Sequence, residues 1–297
     1  MSDESITYRT KVIGEILKTK FEEIENRALG NTESGISVCF YDYDAMTQGL
    51  PRGGLVVLGG RPAMGKTSLS LNMALNVSKT HNLPVCLFHL EISKEQISNR
   101  FLAMELGIES GRLRTGRLQQ DEWSLLSEGI DSLSKLPLHI TDQPICSIQE
   151  MQSICQKIKE ESEKKSLGLV ILDYVQLLDY LPISDVSNRE EYLLKIAKSL
   201  KKMAGELNVP VIVISQLSKD VEKRRNKRPM LSDIRDFEPL EVYSDIITMI
   251  YRDEYYNPET EDRGIAEIIT CKHRNGPLGT VKLLFEPQFT RYRNLAA

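Results

Sequence analysis

The stretch LGGRPAMGKTSLSLNMALNV, residues 58–77, constrains this chain more than any other. Gly60, Gly65, Lys66 and Thr67 stand at the spacing G-x-x-x-x-G-K-[ST], directly after an apolar run and ahead of a helical pattern. That order requires a buried strand, a tight loop and the first turn of a helix. Glycine lets the loop backbone curl round phosphate oxygens, and the helix N-terminus adds its positive end. The expected nucleotide contacts are therefore Gly60, Arg61, Pro62, Ala63, Met64, Gly65, Lys66, Thr67 and Ser68. Lys66 is placed to reach the β/γ oxygens, and the Thr67 hydroxyl to ligate Mg²⁺. ATP and Mg²⁺ are the expected cofactors.

A loop of this kind needs a fold that puts it at a sheet edge, and the rest of the chain supplies one. GLVVLGG, PVCLFHL, GLVILDY, PVIVIS and DIITMIY are continuous apolar runs, as strands covered on both faces should be. Helical patterns lie between them near 66–80, 94–106, 120–134, 147–164 and 189–207, and Ser93 with Gln96 forms a capping box for the second. The alternation predicts an α/β fold with a mostly parallel sheet flanked by helices. The last third changes to strand–hairpin–strand, so the sheet should end in antiparallel strands. In CKHRNGPLGT (271–280), Asn275-Gly276 is a hairpin signal that would set Lys272, His273 and Arg274 at a tip, with no acid beside them in sequence. A phosphate on another molecule, nucleic acid, or plain solvent could meet those cations.

The strand ends carry further chemistry. GLVILDY brings out Asp173, an acid on a buried strand, which reads either as an Mg²⁺ partner held through water or as a loop cap. PVCLFHLE ends in Glu91, a carboxylate positioned to polarise an attacking water. PVIVISQ ends in Gln216, an amide able to sense a γ-phosphate.

At the N-terminus, residues 8–29 place Ile13, Leu17, Phe21 and Ile24 on one helical face, Gly30 suits the stop, and NTESGIS has linker composition. The expected division is an amphipathic linker helix and linker over 1–35 and an ATPase domain over 36–297. The helix's apolar stripe must be covered either by its own domain or by a neighbouring copy.

Composition narrows the partners. Net charge is −4, so nucleic acid would have to be met by a local patch, for which VEKRRNKRP (221–229) is the candidate; such runs are commonly solvated loops. No apolar run is long enough to span a membrane and the N-terminus lacks signal-peptide features, which predicts a cytoplasmic protein without membrane partners. Five cysteines without paired spacing fit reduced thiols better than a disulfide scaffold or zinc site.

GRPAMGKT, LFHLEISKEQ, LVILDYVQLL, LNVPVIVISQLS, NKRPMLSDIRD, IYRDEYYNPETEDRGIAEII and KHRNGP with GTVKLLFEPQF together resemble the C-terminal ATPase domain of the DnaB-type replicative helicases. The likeness covers residues 54–295 and implies a RecA-like P-loop fold. It implies an ATP-dependent 5′-to-3′ DNA helicase motor working as a homo-oligomeric ring, hexameric in that family, with nucleotide between protomers and replication proteins as candidate partners. Carried over by position, Arg274 with Lys272 reaches a neighbour's γ-phosphate, Glu91 activates water, Gln216 couples the γ-phosphate to moving loops, and Arg100 lies against the base. The helix at 8–29 corresponds to the family's linker helix, which packs on an adjacent subunit. The family's separate primase-contacting domain has no counterpart in these 297 residues, which fits a piece of a longer chain or a short paralogue.

One departure matters. Where the family's DNA-contacting loop reads R-E-S-G, this chain has Arg235, Asp236, Phe237 and Glu238, followed by Pro239. Arg235, Asp236 and Phe237 are the expected DNA contacts, but the close-approaching glycine is replaced by a carboxylate and an N–H is lost at the proline. The alternative to a motor is thus an ATP-switched assembly or regulatory module with weak DNA grip; an ATPase unrelated to nucleic acid is the remaining reading.

Overall fold

The computed structural model describes residues 12–30, 34–142, 147–173 and 189–295. They divide between Gly35 and Ile36 into two compact units. The first contains helix α1 (Ile13–Ala28), with Val12, Ile13, Ile16, Leu17, Phe21 and Ile24 all exposed along it. Its end is set by Gly30, which adopts φ +72° and donates its N–H to the Arg27 carbonyl at 3.0 Å. Residues 8–11 of the expected helix lie outside the described residues.

The second unit is built on a nine-stranded sheet. Five of its strands are the apolar runs read from sequence: β1 (Leu55–Gly60), β2 (Val85–His89), β4 (Leu169–Asp173), β5 (Val211–Gln216) and β6 (Ile246–Tyr251). A short strand, β3 (Leu138–Thr141), pairs on the outer edge of β2, and β7 (Ile265–His273), β8 (Gly279–Glu286) and β9 (Arg291–Asn294) complete the order β3-β2-β4-β5-β1-β6-β7-β8-β9. Pairing is parallel from β3 through β6 and antiparallel beyond it.

The central runs are apolar throughout because both faces are covered. Val56, Leu58, Leu87 and Ile171 pack toward Leu69 and Met73 of α3 (Lys66–His81) and Ile97 and Phe101 of α4 (Lys94–Leu106). Leu55, Val57, Phe88 and Val170 pack toward Met151 of α7 (Ile148–Glu161) and Leu200 and Met203 of α8 (Arg189–Leu207). The Ser93–Gln96 capping box opens α4 as its sequence predicts. Helix α6 (Glu122–Ser134) packs on α4, with Gly129 directly over Leu106, and two short helices, α2 (Tyr41–Thr47) and α5 (Ser110–Thr115), precede β1 and α6 respectively.

The hairpin differs from expectation. Strand β7 outruns β8: Thr270 pairs with Gly279, while Lys272 and His273 pair with Ile247 and Ile246 of β6. Lys272 and His273 are therefore strand residues, and the connection is the longer loop 274–278. The type I′ turn that Asn-Gly favours needs φ > 0 at both central positions, and type II′ needs it at the first. Neither Asn275 nor Gly276 adopts it, and Pro277 has no N–H to donate to a ladder. An acid absent from the neighbouring sequence is met in space. Arg274 Nε lies 3.7 Å from Asp245 Oδ1, across the β6–β7 ladder.

The basic run 221–229 is also not a free patch. Arg224 is paired with Asp233, Lys223 with Asp220 and Arg228 with Glu267, and Lys227 sits over the Tyr256 ring. These cations tie neighbouring segments together. Cys39, Cys86, Cys155 and Cys271 are free thiols; Cys146 lies outside the described residues. Among the described residues, no helix is long and apolar enough to cross a membrane.

Candidate active site

The sheet order brings the carboxyl ends of β2, β4, β5 and β1 side by side, and the phosphate loop leaves the last of these. Residues 61–65 bridge Gly60 of β1 and the first turn of α3. Ala63 and Gly65 adopt φ +63° and +94°, alternation that turns successive N–H groups inward to form a concave anion cradle. Gly65 is required twice over, since a Cβ there would sit 2.4 Å from the Tyr292 hydroxyl oxygen. Tyr292, buried on β9, forms the loop's floor, donating its hydroxyl to the Met64 carbonyl at 3.2 Å. Asn72 of α3 locks the same strand, giving its amide N–H to Thr290 O and accepting from Tyr292 N.

A cleft of about 360 Å³ opens above the loop, lined by Pro62, Ala63, Gly65, Lys66, Thr67, Ser68, Glu91, Arg100, Asp173 and Gln216. Thr67 Oγ1 donates to Asp173 Oδ2 at 2.6 Å. Lys66 Nζ donates to the Arg61 carbonyl at 3.0 Å. Burial pushes the Lys66 ammonium down to about 8, against the raising pull of Asp173 and Glu91. Burial likewise lowers the Arg100 guanidinium, with Asp173 and Glu91 opposing. Glu91 is exposed just past β2. Two half-buried cations and two carboxylates thus share one cleft above a concave row of loop N–H groups, an arrangement that suits a polyphosphate with a divalent cation.

Three of the expected phosphate-loop contacts lie outside the lining. Gly60 and Met64 are buried in the loop's support. The Arg61 side chain turns away from the cleft, donating from Nη1 to Leu217 O at 2.7 Å and from Nε to Glu222 at 3.0 Å. Glu222 also accepts from the Tyr256 hydroxyl at 2.9 Å. Arg61 thus anchors the phosphate loop to the segment after β5, a role the motif alone does not reveal.

The structure adds a wall that sequence reading missed: Arg252, Phe285 and Pro287. Arg252 stacks over Phe285 at 4.5 Å, donates to Ala63 O at 3.1 Å and pairs with Glu254. Arg252 ends the run that becomes β6, the strand beside β1, so the carboxyl-edge rule applied to that strand would have found it. Phe285 had no such signal; it arrives by antiparallel pairing with β7 and β9.

Lys272 and Arg274 lie elsewhere. Ile246 pairs with Val56 and His273 with Ile246, which sets them at the amino ends of β6 and β1, the edge opposite the cleft. There Arg274 donates to Ser244 O at 3.0 Å and Val242 O at 2.6 Å, while Lys272 donates to Glu241 O. Burial and neighbouring Arg274 lower the Lys272 ammonium. Those carbonyls close α9 (Glu238–Tyr243), so both cations cap a helix C-terminus, as its dipole favours. The backbone of residues 235–237 ends the 3-10 turn leading into α9; the side chains of Arg235, Asp236 and Phe237 lie outside the described residues.

Comparison with known proteins follows the same lines. A replicative DNA helicase DnaB from Geobacillus stearothermophilus is 40% identical over 286 residues, which is 96% of this chain and 62% of that protein. The chain therefore spans about six-tenths of that relative's length. The solved structure of a DnaB-like replicative helicase, described together with its interactions with primase, superposes with a TM-score of 0.87 at 37% identity, covering 97% of this chain and 68% of the other. The RadB recombinase shares the fold at a TM-score of 0.54 and 18% identity over 88% of this chain, marking the architecture as RecA-like. The DnaB-like helicase C-terminal domain family matches residues 35–294, and with that match and the cleft's residues in place, the chain belongs to this family.

Proposed function

We propose that this chain is the ATP-driven motor of a DnaB-type replicative helicase. It assembles as a homo-oligomeric ring, taken as hexameric, hydrolyses ATP between protomers and moves 5′-to-3′ along single-stranded DNA. The observation that carries the reading is where Arg274 stands. Its backbone N–H bonds to Asp245 O, level with Leu55 at the start of β1, whereas its own phosphate loop starts beyond Gly60. The intervening strand is about 16 Å long at ~3.3 Å per residue. A cation at that edge meets a γ-phosphate only on another copy of the chain, and a head-to-tail ring supplies one.

Within the cleft, the loop N–H groups and Lys66 bind the phosphates, with Lys66 leaving the Arg61 carbonyl for phosphate oxygens. Thr67 and Asp173 offer the hard oxygen donors that suit Mg²⁺, directly or through water. Bound Mg²⁺ supplies charge neutralisation at the β- and γ-oxygens. Glu91 accepts the proton of the attacking water, and Gln216 reports the γ-phosphate to the segment after β5. Arg100, with the Arg252–Phe285 wall, holds the base. Arg274 and Lys272 of the neighbour stabilise charge on the transferring phosphoryl group. The DNA contacts are assigned to Arg235, Asp236 and Phe237 from their place in the chain, with a grip altered by Glu238 and Pro239.

The helicase relatives support a motor over an ATP-switched assembly module. A strand-displacement assay on a forked duplex tests this. ATP-dependent unwinding that Lys66→Ala abolishes is expected; ATP-dependent assembly with no unwinding at any salt concentration would turn the reading toward the module.

A further inference from the structure

Behind the cleft lies a buried imidazole that the proposed chemistry does not use. His89, the last residue of β2, is 0% exposed at its side chain and pairs in register with Asp173 of β4. Its Nδ1 lies 3.4 Å from Asp173 Oδ2, and among the described residues neither ring nitrogen has a hydrogen-bond partner. Every other residue of β2 is apolar or cysteine. A buried, unbonded polar nitrogen costs about 1–3 kcal/mol, so an apolar side chain would serve the core better.

The oxygen it approaches is the one that matters. Asp173 Oδ2 takes the Thr67 hydroxyl at 2.6 Å from the cleft side. His89 approaches the same oxygen from within the protein. The Leu90 N–H donates to Asp173 O at 2.9 Å, so the two backbones are already fixed and only side-chain torsions separate Nδ1 from a bond.

We infer that His89 is a positioning residue for the divalent cation. Carrying its proton on Nδ1, it holds the Asp173 carboxylate from behind, so that Asp173 and Thr67 present a fixed pair of oxygens to Mg²⁺. This rests on the proposed role of Asp173 and Thr67 and extends it to a residue outside the cleft. Groups that orient a metal-binding carboxylate typically contribute 10- to 100-fold to metal affinity.

The test is binding of a fluorescent ATP analogue to the whole chain, titrated with Mg²⁺, with Asp173→Asn as reference. His89→Ala is expected to raise the Mg²⁺ concentration at half-effect by about 10- to 100-fold. Analogue affinity without metal should stay within about twofold, which also shows that the loop is folded. Asparagine places its amide nitrogen where Nδ1 stands and glutamine places it nearer Nε2, so His89→Asn should recover most of the loss and His89→Gln little of it. If the alanine variant does not fold, the asparagine–glutamine contrast decides alone. An unchanged half-effect in His89→Ala beside a shifted one in Asp173→Asn overturns the inference and leaves the cation site standing. Equal recovery by asparagine and glutamine also overturns it. No shift in Asp173→Asn removes the cation site, and this inference with it.

Discussion

If Arg274 serves a neighbouring cleft, its loss and the loss of Lys66 are defects in different halves of one interface. Consider Arg274→Ala. A cation supplied to a transferring phosphoryl group is worth about 10³–10⁵ in rate, or roughly 4–7 kcal/mol. Here Arg274 must first release Val242 O and Ser244 O, at about 1 kcal/mol per bond. The remainder, roughly 2–5 kcal/mol, predicts a fall in kcat of about 30- to 5,000-fold with nucleotide affinity little changed. Mixing this variant with Lys66→Ala restores function only if the two groups act across an interface. In randomly mixed rings, about one interface in four joins an intact phosphate loop to an intact Arg274, so up to about a quarter of wild-type turnover should return at equal amounts. The assay is steady-state phosphate release across mixing ratios, with subunit exchange confirmed by energy transfer between labelled protomers. Exchange without recovery at any ratio would refute the placement of Arg274 in a neighbour's site.

Two further outcomes follow from the cleft. Because the Lys66 ammonium is lowered to about 8, the free protein loses that charge as pH rises through 8, while bound phosphates hold it on. Binding then takes up a proton, and ATP affinity should fall about 25-fold between about pH 7.5 and 9.5, a slope that Lys66→Arg removes because guanidinium does not titrate there. The stability of the free protein moves oppositely: the folded state holds fewer protons than the unfolded one above pH 8, so this group's contribution rises toward 10.5. An affinity flat across that range, read by calorimetry, would show Lys66 not to be the phosphate cation. Gly65→Ala puts a methyl 2.4 Å from the Tyr292 oxygen at φ +94°. It should cost about 1–3 kcal/mol in stability and abolish nucleotide binding; addition of Tyr292→Phe should recover only part of the stability, since the backbone strain persists.

Sequence made the centre of the sheet legible because strands covered on both faces leave long apolar runs. β1, β2, β4, β5 and β6, and with them Glu91, Asp173 and Gln216, follow from that signal. β3 was missed since LHIT is short, partly exposed and bonded along one side only. The Asn275-Gly276 signal was local, and was overruled by Lys272 and His273 of β7 pairing with β6. Roles that depend on where a side chain turns, such as Arg61 toward Glu222 or His89 toward Asp173, have no one-dimensional pattern. Phe285 reaches the cleft, and Tyr292 the underside of its loop, from more than two hundred positions away, a distance over which spacing carries no information.

The contact between Tyr292 and Gly65 spans 227 positions along the chain. A ribosome working at about 5–20 residues per second needs roughly ten to forty-five seconds to cover that stretch. Throughout that interval the nascent phosphate loop has no floor, and Asn72 has neither Thr290 nor Tyr292 to bond. A nucleotide meeting the chain before residue 292 emerges would find the loop without that support, so ligand binding could stabilise only the finished domain.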